Sequence, residues 1–376
     1  MRLLVLYQAL DAAADHPGYY QGFERLVTEG ALDAHCAIPV QGSALAIGWN
    51  GFWDEAASMA TQMQADAIFL QFFHASMPDP TDAIRRLKSL PNKPVLFTSL
   101  GDPFGRWTNR IPRSFRVASA LSDVSFLTGM GYLAEQLRRG GSNNLVLMPN
   151  GCCQVRFSDD LDAESSTSVF DIVFVGSRVR SRNPFSHYYH VAQKRVEFVQ
   201  AFTKRYGKRF GLYGNGWAGN LSWQGPIPYT RQQDAYRKSA IGLGGMPNAY
   251  HDYYTSDRVF IAIASGTPFV DYWVKGVDRI LQPGQDWWLA NNQTDMFTLC
   301  DKLLDMSSGD RVQMGANARR HILAHHTQYH RCKDMIEIVK CVREAHLSGR
   351  KAPRPDLGFL SNSLSSNPPS IVAWEG

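Results

Sequence analysis

Three segments of this chain put small residues, backbone amides and arginine where an anion can be held. The first, Val173-Phe174-Val175-Gly176-Ser177, ends an apolar run and leads into Arg178, Arg180 and Arg182. Amides at Gly176 and Ser177 can approach a phosphate closely, and arginine matches its oxygens with a planar fork of donors. The same residues also suit a tight turn with exposed arginines. The second, Gly214-Asn215-Gly216-Trp217-Ala218-Gly219, fits GxGxxG to the letter. A dinucleotide fingerprint must open a helix. Here Asn220 to Pro228 contains Ser222, Gly225, Pro226 and Pro228, so a nicotinamide site is disfavoured and a glycine-rich loop (Gly214, Asn215, Gly216, Trp217) remains. In the third, Tyr254-Thr255-Ser256-Asp257-Arg258, Thr255 or Ser256 caps a helix, Asp257 suits its positive end and Gly266 stops it. Free amides at such a start, with Arg258 beside them and Tyr254 just ahead, suit a diphosphate. No GxxxxGK[ST] occurs, which argues against P-loop phosphoryl transfer.

These loops need strands to carry them. The first half reads as strand-then-helix units: strands at 2–8, 67–73, 94–99, 124–128 and 145–148, helices at 17–32, 53–64, 80–90, 113–121 and 132–139. Asp159 to Ser168 (DDLDAESSTS) is acidic and poor in apolar residues, which predicts a linker. A second series follows, with strands at 170–175, 210–213, 241–244 and 268–271 and helices at 191–206, 231–239, 256–265, 296–306 and 310–345. Apolar strands separated by helices predict parallel sheets covered on both faces. The expected architecture is α/β: two Rossmann-like, doubly wound domains facing each other across a cleft. Their expected bounds are 1–158 and 169–346, with the linker at 159–168 and a loosely held Pro/Ser/Asn-rich tail at 347–376.

Composition is consistent with a packed protein. Of 376 residues 44% are hydrophobic and only 19% charged, below the usual quarter, so disorder is excluded for most of the chain. Residues 1–165 carry 13 Lys/Arg against 17 Asp/Glu and the remainder 26 against 17, so the C-terminal half is the expected anion binder. No 18-residue apolar stretch or cleavage pattern is present, and the six cysteines form no CxxC, which predicts a cytoplasmic protein with reduced thiols.

From Phe170 to about Met335 the motifs IVFVGS, GLYGNGW, SDRVF with ASGTPFV, LQPGQDWW and HHTQYHR resemble the nucleotide-sugar-binding half of glycosyltransferases with two Rossmann-like domains, the GT-B fold. The resemblance is to the spore-maturation CgeB-like branch of the group 1 enzymes. The N-terminal half matches by architecture and by Pro149-Asn150-Gly151, a hinge that ends such domains. The resemblance implies a nucleotide-sugar donor, UDP-linked by preference, held by the C-terminal domain through amides, a helix end and arginine, with no tightly bound cofactor or metal. The basic half, the aromatic content and the expected cytoplasmic location suit an acceptor that is a glycan or lipid-linked glycan, with a hydroxylated nucleic acid less favoured. The basic half would suit work at the inner face of a membrane.

The family usually has a glutamate five residues before the glycine of its A-x-G segment and another acidic residue eight positions earlier. Here those positions are Ile261 and Tyr253. Three readings stand equal here: Asp257, one turn before Ile261, substitutes; the donor is changed; or the chain is a silent glycan- or nucleic-acid-binding relative. A sugar-nucleotide epimerase shares the architecture. Candidate bases for the acceptor hydroxyl are Asp102, His74 and His16, each just after an N-terminal strand and so on one rim of a parallel sheet. His321, His325, His326 and His330 lack an HExxH glutamate and read as a polar helix surface rather than a zinc site.

Overall fold

A computed structural model describes residues 1–71, 77–105, 110–157, 168–181, 183–184, 187–245, 251–358 and 372–375. The chain order is β1 (Arg2–Tyr7), α1 (Ala12–Asp15), α2 (Pro17–Thr28), β2 (Ala34–Pro39), α3 (Val40–Gln62), β3 (Ala67–Leu70), α4 (Thr81–Lys88), β4 (Val95–Leu100), α5 (Arg113–Leu121), β5 (Val124–Leu127), α6 (Tyr132–Arg139) and β6 (Leu145–Leu147). There follow β7 (Phe170–Val175), α7 (His187–Tyr206), β8 (Phe210–Tyr213), β9 (Trp223–Gly225), α8 (Gln232–Arg237), β10 (Ser239–Leu243), α9 (Asp257–Ala264), β11 (Phe269–Tyr272), β12 (Trp288–Ala290), α10 (Gln293–Asp305), α11 (Ser308–His325), α12 (Gln328–Leu347) and β13 (Val372–Ala373).

The strands form two sheets, ordered β13-β6-β5-β4-β3-β1-β2 and β12-β11-β10-β7-β8-β9, parallel throughout except where β13 meets β6. Central strands such as β3 and β5 are buried at every residue, because helices cover both faces and no position faces water. In the second sheet the strand order reverses between β7 and β10. The crevice beyond the C-terminal ends of these two strands is where open α/β sheets bind ligands.

Three features differ from the sequence expectation. Residues 310–345 form two helices, because the Thr327 side chain caps α12 in a capping box with His330 while the His326 carbonyl accepts from Cys152 N at 3.0 Å. Beyond that break α12 crosses over and packs on α2, so it joins the two domains; Tyr329 donates to Glu29 Oε2 at 2.6 Å and lies under Arg25. The terminal segment, expected to be loosely held, returns as β13 on the edge of the first sheet, with Val372 paired to Val146. Of the expected linker, only Ser168 lies within the described residues.

The crossover is fastened at Asp66. Its carboxylate accepts from Arg2 N at 2.7 Å, from Asn92 Nδ2 at 2.9 Å and from Arg343 Nη2 on α12. Burial works to raise its pKa, but the Arg2 amide, Asn92 and the arginines outweigh it and hold the carboxyl below its usual range. With the folded pKa depressed, this contribution is present above the unfolded value and is lost as pH falls through the folded one. Asp66→Ala is expected to cost about 1.5–3 kcal/mol, the range of hydrogen bonds to charged groups. Denaturant unfolding at pH 7 checks the size, and the difference from wild type should shrink at pH 3.

Candidate functional site

The floor of the site is built at the β7/β10 crevice by two loops locked side by side. Gly176 N donates to Tyr213 O at 2.8 Å, Arg178 N to Asn215 O at 2.8 Å, and Asn215 N to Ser177 Oγ at 3.2 Å. Trp217 is buried, and its Nε1 donates to the Gly176 carbonyl at 2.7 Å, so it braces the loop from behind instead of stacking on a ligand. Gly214 has φ of 132°, and a Cβ there would stand 2.5 Å from the Gly176 oxygen. Gly214→Ala is therefore expected to cost about 1–3 kcal/mol and to splay the two loops. Thermal melting should show the loss.

Helix α9 points its N-terminus at this floor. Ser256 is its N-cap, but its side chain caps no amide; the Val259 amide donates to the Ser256 carbonyl at 3.2 Å, which leaves the Asp257 and Arg258 N–H groups as the ones a ligand can take. Thr255 lines the adjoining cavity; it is 2% exposed, and its hydroxyl has no hydrogen-bond partner among the described residues. Arg258 also lines the cavity, reaches the Val175 carbonyl at 3.5 Å and lies against Gly176. Burial opposes its charge, yet Asp257, Tyr236, Tyr254 and Asp271 outweigh burial and stabilise the guanidinium.

The cavity, of about 340 Å³, is closed on its far side by Asp102, Pro103, Phe104 and Gly105 of the first domain. Asp102 is open to the cavity but walled by both domains. That desolvation, helped by the Asp257 carboxylate, raises its pKa. The two domains are held in register here by Met130 N donating to Asp252 O at 2.7 Å and Asn150 Nδ2 donating to Thr255 O at 3.2 Å. Arg331, fully buried, donates from Nε to the Pro149 carbonyl at 2.9 Å and so fixes the hinge.

The sequence-predicted residues thus divide. Asp102, Tyr254, Ser256 and Arg258 line one cavity, while Gly176, Ser177, Arg178, Gly214, Asn215 and Gly216 form the adjacent floor. Asp257 opens α9, and its charge is felt by the Tyr229 phenol. His16 does not line the cavity: its Nε2 is 2.9 Å from the Gln8 carbonyl and its ring stacks on Tyr7, so it ties strand end to helix start. His74 lies outside the described residues. His321 bonds Asp286, His326 bonds Arg331 and His330 caps α12, and among the described residues no group of three or more His, Cys, Asp or Glu could hold a metal. Ile261 and Tyr253 are 6% and 3% exposed, so the positions of the absent acids are packed with apolar and aromatic side chains.

Sequence reasoning missed Asp271, His251 and Arg195, which also line the cavity. Arg195 Nη1 donates to the Ser177 carbonyl at 2.9 Å. Asp271 ends an apolar strand, and a carboxyl in that position was the available signal.

Residues 194–337, under half of the chain, match the profile of a family described as glycosyl transferase-like. A search of curated proteins finds no match. Among solved structures, Anabaena HepE in complex with UDP and glucose superposes with a TM-score of 0.56 at 11% identity, over 90% of this chain and 99% of that one. An α-glucosyltransferase in complex with UDP-glucose and DNA containing an abasic site gives 0.63 at 13%, over 90% and 99%. The sucrose-phosphate synthase of Thermosynechococcus elongatus gives 0.58 at 12%, over 92% and 100%. The fold is GT-B. In GT-B terms, the profile spans most of the second domain, including the Gly214 loop, α9 and Asp271. The profile points to glycosyl transfer, and the solved structures share the fold. Among the described residues no helix is long and apolar enough to cross a membrane.

Proposed function

We propose that this protein transfers a hexose from a nucleoside diphosphate sugar, UDP-linked by preference, to a hydroxyl of a glycan or lipid-linked acceptor. The observation that carries the reading is the cavity between the domains, where the open N-terminus of α9, the unpartnered Thr255 hydroxyl and Arg258 converge opposite Asp102. The donor diphosphate lies on the α9 amides and Arg258, with its nucleoside over the Gly176 and Gly214 loops. The acceptor enters from the first domain, and Asp102 takes its proton as the sugar carbon is attacked. As the bond to the diphosphate breaks, negative charge grows on the leaving oxygens. Arg258 and the oriented amides stabilise it without reorganising. These groups supply the charge that a divalent metal supplies in other sites, which supports metal-independent turnover. The neighbours' complexes with UDP and UDP-glucose support the choice of base.

Calorimetry with UDP, GDP and ADP tests the donor site. Binding of one of them at least tenfold tighter than inorganic pyrophosphate is expected; none tighter than pyrophosphate would falsify the assignment. Incubation with labelled UDP-glucose and no acceptor separates the chemistries: slow hydrolysis fits transfer, interconversion an epimerase, and no turnover a binding protein, the outcome to which the buried Ile261 would then point.

A further inference from the structure

Asp271 stands at the C-terminal end of β11, in the wall of the cavity. Its Oδ1 accepts a hydrogen bond from Tyr272 N at 2.8 Å. On the neighbouring strand a Cβ at residue 244 would lie 2.0 Å from its carboxyl carbon, so the carboxyl fits only because that residue is glycine. Arg258 of α9 and Tyr272 line the same cavity, with no ion pair within 4 Å between Arg258 and Asp271, and the charges that act on one another here also include the Tyr236 phenol of α8. Elsewhere on the cavity wall lie His251, Arg195 and Asp102, with Asp257 at the head of α9. No step described above uses the Asp271 carboxyl, yet it lines the cavity in which the donor diphosphate would meet the Arg258 guanidinium.

We propose that Asp271 takes up one proton when the donor diphosphate enters the cavity, so that the Arg258 charge is left to the incoming anion alone. This rests on the donor-site reading above. The physical basis is competition: two anions close to one cation in a desolvated pocket cannot both stay ionised, and the carboxylate is the weaker acid's partner to yield. Burial already pushes the carboxyl up to about 7, against the pull of the Tyr272 amide and Arg258, so little further repulsion is needed to protonate it at neutral pH. The proton comes from solvent onto Oδ2 and returns to solvent when the diphosphate leaves. While bound, the neutral carboxyl is a donor and can bond a phosphate oxygen. A ligand that brings a proton with it binds more weakly as pH rises, by up to about tenfold per unit between the free and complexed pKa values.

The test is a UDP titration of the whole chain by isothermal calorimetry at pH 7.5 and 8.5, in buffers of different ionisation enthalpy. UDP's own terminal phosphate is already ionised there. The wild type is expected to take up roughly half a proton or more per UDP, and D271N about none, with a correspondingly flatter pH dependence of affinity. Zero uptake by the wild type overturns the proposal whether or not D271N folds, and so does equal uptake by the two proteins. Absence of UDP binding overturns the donor-site reading for UDP, and this proposal with it.

Discussion

Arg258→Ala is expected to lower turnover roughly 100-fold or more, in the range for loss of a single preorganised electrostatic stabiliser. The guanidinium lies at the β7/β10 crevice, beside the Gly176 backbone and the open end of α9. Its value to the reaction grows as the leaving diphosphate gains charge, so the loss should appear in kcat more than in the donor's KM. Arg258→Lys keeps a charge but not the fork, and an intermediate loss is expected. Steady-state kinetics on both variants make the check. Equal kcat in wild type and Arg258→Ala would show that the amides of α9 suffice.

Asp102→Asn should reduce transfer by about 10²–10⁴-fold, the usual contribution of a positioned base, while leaving UDP affinity within a factor of about three. The substitution keeps shape and hydrogen-bonding atoms and removes basicity. Desolvation and the Asp257 carboxylate raise the Asp102 pKa, so its working, ionised form is present above that value and is lost as pH falls through it. The acid limb of wild-type activity is therefore expected above the ordinary carboxylate range. Asp257→Ala should move that limb to lower pH. A profile unchanged in Asp102→Asn would transfer the role of base to another group.

The two contrasts on either side of the cavity share one cause. Asp102 and Asp271 are both carboxyls made less acidic by desolvation, and the Arg258 charge pulls the Asp271 pKa partly back down. A base for the acceptor must be free of a permanent counter-charge, whereas a group that yields its cation to the donor needs one nearby. Asp102 stands on the first domain and Asp271 on the second, on different walls of the cavity.

Much of this was legible in the residues. Apolar strands such as Phe170–Val175 and Phe210–Tyr213 carry their own period and length, so their type and bounds follow from local chemistry. The turn residues after them, Gly176 and Gly214, mark close backbone approach, and the stop of α9 follows from Gly266, while Ser256 holds the N-cap position without a side-chain bond. Their position at the C-terminal ends of parallel strands is what made them candidates for a ligand site.

The rest depended on contacts between distant residues, which no local pattern encodes. Whether Trp217 stacks on a ligand or braces Gly176, and whether His16 faces the cleft or the Gln8 carbonyl, depends on which backbone group lies within 3 Å in space. The break between α11 and α12 needs the Cys152 amide, about 175 positions upstream by number, to meet the His326 carbonyl. Asp271 gained its chemistry in the same way: local sequence makes it the end of a strand, and only the approach of α9 and β10 in the folded chain desolvates its carboxyl and sets it beside Arg258.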